Sequence, residues 1–146
     1  MVLLARVPDS DGARARRLRA PLGTAAALGL ATLALRVRDP HRHGSWGLCP
    51  FKAITGWDCP ACGGLRAVND LGHGNLVEAA HSNLLFVGSL PLVLGLWALW
   101  LSRGWNGSTR RRPPGSVRPL LIGYAVVAVA FTVFRNTPWG SNWYAA

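Results

Sequence analysis

The sequence predicts an all-α integral membrane protein, and three observations carry that prediction. Three apolar runs, about residues 21–35, 83–102 and 119–134, alternate with polar connections rich in Pro and Gly. Half of the 146 residues are hydrophobic and only 15% are charged, against about 25% in a typical soluble domain. Arginines and tryptophans gather at the ends of the apolar runs, as they do where a chain enters and leaves a bilayer. The expected architecture is three transmembrane helices, with an irregular, Cys-rich interfacial segment and a short amphipathic helix between the first two.

The charge balance narrows the function classes. Lys and Arg outnumber Asp and Glu by 16 to 6, an excess that also occurs in nucleic-acid-binding domains. Here the arginines flank apolar runs and do not line one helix face between aromatics, so nucleic acid is not the expected partner. The bilayer is.

Taken in order, residues 1–20 carry Arg6, Arg14, Arg16, Arg17 and Arg19 among Pro8, Asp9, Ser10 and Gly12, without a periodic apolar face. This pattern predicts a disordered, basic tail beside anionic headgroups, followed by one helical membrane domain over 21–146. The first run, 21–35, is short for a hydrocarbon core of about 30 Å. A basic segment before a short apolar run also fits a secretory signal, but no small-residue cleavage site with a polar follow-on succeeds it; Arg36, Arg38, Asp39 and Pro40 do. An uncleaved span whose terminal arginines snorkel is the expectation.

After a polar loop comes the stretch that holds all three cysteines, Cys49 to Arg66: C-P-F-K-A-I-T-G-W-D-C-P-A-C-G-G-L-R. Pro50, Gly56 and Pro60 punctuate it, and 51–57 shows neither helical nor alternating periodicity, so it reads as irregular. A short helix is expected from Gly63, closed by Gly72, His73 and Gly74. Asn75 and Glu78 then have the spacing of a capping box. Asn83 to Leu101 is the strongest span, with a kink expected at Pro91 and Trp97, Trp100 and Trp105 at one end. The loop 102–119 is basic; Asn106-Gly107-Ser108 there is a weak glycosylation match. Pro119 suits the first turn of the last span, and Trp139, Trp143 and Tyr144 make an interfacial aromatic group.

Orientation follows from Lys and Arg. The tail 1–20 and the loop 103–118 carry ten; the cysteine loop and the C-terminal tail carry six. This predicts a plasma (inner) membrane protein with a cytoplasmic N-terminus, an extracytoplasmic cysteine motif and an extracytoplasmic C-terminus.

Three chemistries fit the cysteines. Cys59-x2-Cys62 has the spacing of a zinc knuckle; Cys49 would be a third ligand, with His73 first among His73, His81, His41 and His43 as the fourth. The same pair ahead of a helix could do thiol redox work, because a helix N-terminus lowers thiol pKa. A structural disulfide from Cys49 to Cys59 or Cys62 is the third reading, permitted on the extracytoplasmic side. No Ser-His-Asp order, carboxylate pair or Gly-rich phosphate loop is present, so no catalytic residue is assigned outside the redox reading. Arg66 and Asp70 are four apart on the expected helix, a spacing for an ion pair; Arg66 could also meet a lipid phosphate or a partner's carboxylate. Asn83, heading the main span, has the chemistry to cap it or to bridge helices.

The run from Cys49 through C-P-A-C-G-G-L-R66, then G72-H-G-N-L-V-E-A-A80 and Asn83, resembles the DUF2752 family of small bacterial membrane proteins of unknown function. The motif positions besides the cysteines are Thr55, Gly56, Pro60, Gly63, Arg66 and Asn83. The family often has Thr before the Arg and Pro after the Asn; here those positions are Leu65 and Leu84. The resemblance implies no activity. The residues themselves favour a non-catalytic accessory or partner-binding subunit, possible partners being other membrane proteins, with a structural cysteine motif closed by a disulfide or zinc. The alternative is a membrane thiol–disulfide oxidoreductase using Cys59 and Cys62.

Overall fold

The computed structural model describes residues 11–42, 44–47, 49–107 and 117–143. Among the described residues six helices follow in order: α1 (Asp11–Val37), α2 (Pro50–Thr55), α3 (Gly64–Gly72), α4 (Leu76–Trp105), α5 (Arg118–Arg135) and α6 (Pro138–Trp143). Among the described residues there is no strand. By length and composition α1, α4 and α5 can each cross a membrane, so the architecture expected from the sequence is the one observed.

α1 is longer than its apolar run. It starts at Asp11 and has 27 residues, about 40 Å at the helical rise, so the short run has helix on both sides of it. Residues 11–20 are therefore helical and not an irregular tail. Arginine is a good helix former, and two of these arginines have partners on α4. The Arg17 Nε donates to the Gly104 carbonyl at 3.2 Å, and the Arg14 guanidinium lies 5.4 Å from the centre of a Trp105 ring. Pro21 sits inside α1 and is buried; the Trp97 indole N–H donates to its carbonyl at 3.2 Å. Glycine at 104 lets α4 approach, since a Cβ there would press on Leu18 and the Arg17 carbonyl.

α3 packs against both α1 and α4. Its Asn69 donates through Nδ2 to the Leu35 carbonyl at 2.8 Å. Leu35 lies in the last turn of α1, where carbonyls have no partner within the helix, so a buried side chain of α3 satisfies what α1 leaves open.

One expectation is corrected, and one break is added. Asn75 occupies the N-cap position of α4, but its side chain makes no capping bond; its backbone N–H donates to the Asp70 carbonyl at 2.9 Å, continuing the turn that closes α3. The break in α4 falls at Asn83 (φ −162°, ψ 96°) while Pro91 lies within the helical run. Asn83 makes the break because its side chain starts a new helix: Oδ1 accepts the Phe86 N–H at 2.9 Å, an N-cap bond to the third residue on. The arm 76–82 and the membrane-length arm 84–105 are two helices joined at this asparagine.

The interior is polar and the surface apolar. Among the described residues the buried hydrophobic side chains include Leu18, Leu35, Ala67 and Ala79, matched by buried Asn69, Asp70, Asn83 and Arg135. Leu94, Leu99, Val126 and Val129 face outward. In water this would be unstable, since a soluble monomer rarely exposes apolar patches of more than a few hundred Å²; lipid as the solvent removes the contradiction.

Candidate metal centre

The site begins with α2. Pro50 stands in its first turn, where a missing N–H costs nothing and the fixed φ is already helical. That is why 51–55 coil in spite of their weak periodicity. The end of α2 is closed twice. Gly56 takes φ +75° and donates its N–H to the Lys52 carbonyl, a left-handed cap that glycine accepts at low cost. The Thr55 hydroxyl donates to the Phe51 carbonyl at 2.7 Å and accepts the Trp57 N–H at 3.1 Å. Thr55 and Gly56 thus turn the chain back so that Cys59 returns to Cys49.

The loop 58–63 is then clamped from two helices distant in sequence. Asn136, just past α5, accepts the Asp58 N–H on Oδ1 at 2.9 Å and donates from Nδ2 to the Asp58 carbonyl at 3.0 Å, pairing with that backbone much as a neighbouring strand would. Asn83 Nδ2 donates to the Pro60 and Cys62 carbonyls at 2.9 and 3.0 Å. Arg135, 2% exposed, donates from Nη1 to the Cys62 carbonyl at 2.6 Å. Its Nε lies 4.0 Å from Asp58 Oδ2, and Lys52 Nζ lies 2.9 Å from the other carboxylate oxygen. Gly63 takes φ +78° with its Cα against the Ser82 carbonyl, where a Cβ would collide. So Gly63 is needed both for conformation and for contact.

This clamp brings the sulfurs together. Cys49 Sγ is 3.5 Å and Cys62 Sγ 3.0 Å from Cys59 Sγ, and all three sulfurs lie within 4.8 Å of one another. None is in a disulfide. The Cys59 N–H points at Cys62 Sγ, 3.3 Å away. The thiols differ in acidity. The Lys52 backbone N–H, directed at Cys49, holds its thiol below the usual range, while burial and the neighbouring thiols push Cys62 up to about 12. All three border a cleft of about 410 Å³ that also touches Arg42, Lys52, Asp58 and Arg66.

Three ligands at this spacing suit a thiophilic ion, for which Zn–S bonds are about 2.3 Å. The described histidines, His41, His73 and His81, are engaged elsewhere. His73 follows α3 at the end away from the cysteines, its Nδ1 2.8 Å from the Asn69 carbonyl. His81 stacks on Trp143 with ring centres 4.5 Å apart. His41 places one ring nitrogen 2.9 Å from Asp39 and the other 3.3 Å from Asp70; His43 is outside the described residues. Asp70 turns its carboxylate to His41 and to the Ser82 hydroxyl, 2.8 Å away, and Arg66 borders the cleft.

Sequence reasoning missed Arg135 and Asn136. The only signal was a polar pair, R-N, directly after an apolar run, and an arginine there normally reads as a flanking charge. Their role depends on a fold-back of more than seventy residues.

The fold and the site define a class: a helical protein with three helices able to cross a bilayer and a three-cysteine cluster between the first and the second. Residues 49–97 match a family described as "Protein of unknown function (DUF2752)", and the resemblance read from the motif is borne out for that segment. No curated protein and no solved structure matches the chain.

Proposed function

We propose that Cys49, Cys59 and Cys62 hold one zinc-class ion, and that this centre is structural. In this reading the chain is a non-catalytic accessory or partner-binding subunit of a multi-pass membrane assembly. The observation that carries it is the convergence of three thiols within 4.8 Å. A redox pair needs two sulfurs, whereas Gly56 and Thr55 fold α2 back to bring a third. The fourth ligand would come from the cleft that all three cysteines border. Metal binding deprotonates its ligands, so the ion would offset the resistance of the buried Cys62 to ionise.

Elemental analysis and intact mass of detergent-purified protein test this. One zinc per chain is expected, with three thiols alkylated only after chelation. Metal-free protein with a disulfide at Cys49 would replace zinc by the structural bridge. Free thiols, a Cys49→Ser variant of normal yield and a Cys59→Ser variant that folds but loses thiol–disulfide exchange activity would support the oxidoreductase alternative, for which the 3.0 Å Cys59–Cys62 approach is the favouring observation.

For orientation, the excess of Lys and Arg in 1–20 and 103–118 supports a cytoplasmic N-terminus and an extracytoplasmic cysteine motif. A reporter fused after Ala146 should then behave as extracytoplasmic; cytoplasmic activity would reverse the orientation.

A further inference from the structure

The cleft beside the cysteines carries more cations than a structural metal centre needs. Among the described residues its lining includes Arg42, Lys52 and Arg66 and one acidic residue, Asp58. That carboxylate is already held by Lys52 at 2.9 Å and approached by Arg135 at 4.0 Å. The cations come from three separate elements: the loop after α1, α2, and the first turn of α3. The N-terminal end of α3, where the helix dipole is positive, also edges the cleft through Gly63, Leu65 and Arg66. Small residues, Gly44, Ser45 and Gly47, form part of the wall, so a ligand can approach closely. The volume of about 410 Å³ lies within the usual range for small-molecule sites, about 300–1,000 Å³.

We propose that this cleft binds a phosphate-bearing group. Two arginines, a lysine and a helix N-terminus bordering one cleft suit tetrahedral, multiply accepting phosphate oxygens better than any neutral ligand. In chain order the cleft lies between the end of α1 and the membrane-length arm of α4. With those helices across a bilayer, this connection lies on the headgroup side of the hydrocarbon core. The phosphate is either that of an anionic phospholipid or that of a soluble phosphate ester. Binding uses the cations and does not depend on the metal, so chelated protein that keeps its fold binds equally well.

The test uses the full chain in nanodiscs of phosphatidylcholine with and without one-quarter phosphatidylglycerol, and in neutral detergent with inorganic phosphate. Retained phosphatidylglycerol is read by native mass spectrometry, and phosphate by the rise in melting temperature over chloride at equal ionic strength. The variant Arg42→Gln/Lys52→Gln/Arg66→Gln should lose binding at least tenfold. The control Arg16→Gln/Arg19→Gln/Arg118→Gln, with the same change of charge at exposed positions, should lose less than twofold. Retention of lipid without a response to inorganic phosphate assigns the site to lipid; a response to both assigns it to the phosphate group itself. Equal losses in the two variants would mean attraction by net charge only and overturn the proposal. If the cleft variant fails to fold, Arg42→Lys/Arg66→Lys and the wild-type measurements decide. Wild-type protein that neither retains phosphatidylglycerol nor responds to phosphate also overturns it.

Discussion

The long helices and the cysteine loop follow opposite rules. In the helices the large side chains face outward, Leu94 58% exposed and Val126 63%, whereas around the loop Asn83 and Arg135 are 1% and 2% exposed. The spans are specified by transfer into lipid, a term that each residue supplies almost independently. The loop is specified by hydrogen bonds from a few side chains to backbone carbonyls, and these fail together when one donor is lost. The chain thus inverts the soluble pattern, with a small polar interior inside an apolar exterior.

The comparison can be broken most sharply at Asn83. Asn83→Leu removes the bonds to Pro60 and Cys62 and the cap on Phe86. The Cys62 carbonyl keeps Arg135, but the Pro60 carbonyl and the Phe86 N–H each lose a partner at roughly 1–3 kcal/mol, so a loss of about 3–4 kcal/mol is expected in detergent melting. Leu94→Ala should stay within about 1 kcal/mol. Similar losses at the two positions would mean that the polar network does not hold the fold.

Gly63 and Gly64 form a matched pair with a smaller expected effect. Gly63→Ala meets the Ser82 carbonyl and carries a positive φ, while Gly64→Ala meets nothing within 4 Å. The first should lower stability by about 2–3 kcal/mol and the second by less than about 0.5 kcal/mol. An unaffected Gly63→Ala would show that the loop can stand off from α4.

The thiols sharpen the contrast between edge and interior. With metal chelated, alkylation near pH 8 should modify Cys49 well before Cys62, because only thiolate reacts. The directions are explicit: the lowered Cys49 pKa keeps thiolate present as pH falls, while Cys62, at about 12, stays protonated. In the metal-bound form, acidification should release the ion as protons compete for sulfur. Equal labelling of the two cysteines in mass spectrometry would contradict the assigned environments.

The smallest effect is expected at Asn75. Its side chain caps nothing, so Asn75→Ala should cost well under the roughly 1 kcal/mol typical of a lost cap. A full-sized loss in the same melting series would restore the capping box suggested by the Asn75–Glu78 spacing.

Much of the fold was legible because its signals are local. Apolar run length marks the spans, Pro119 marks a helix start and Gly72 a helix end, since backbone freedom and hydropathy act within a few residues of where they are written; α2, between Pro50 and Gly56, read as irregular because six residues are too few to show a period. The grouping of Cys59 and Cys62 was legible for the same reason. The capping box misled because it is a local preference that packing overrode: Asp70 took the backbone N–H of Asn75. The break at Asn83 was not legible because it goes with that side chain's bonds to the Cys loop. Cys49 was placed with the other two by the zinc and disulfide readings, and the structure brings all three sulfurs within 4.8 Å; the separation of His73 from the cysteines and the clamp by Arg135 and Asn136 came only from tertiary structure. Asn136 meets Asp58 across 78 residues, and no periodicity or spacing encodes a pair that the chain closes only when α5 returns beside the loop. A buried arginine and a flanking arginine look identical in sequence; which it is depends on whether a carbonyl such as that of Cys62 is waiting in a place water does not reach.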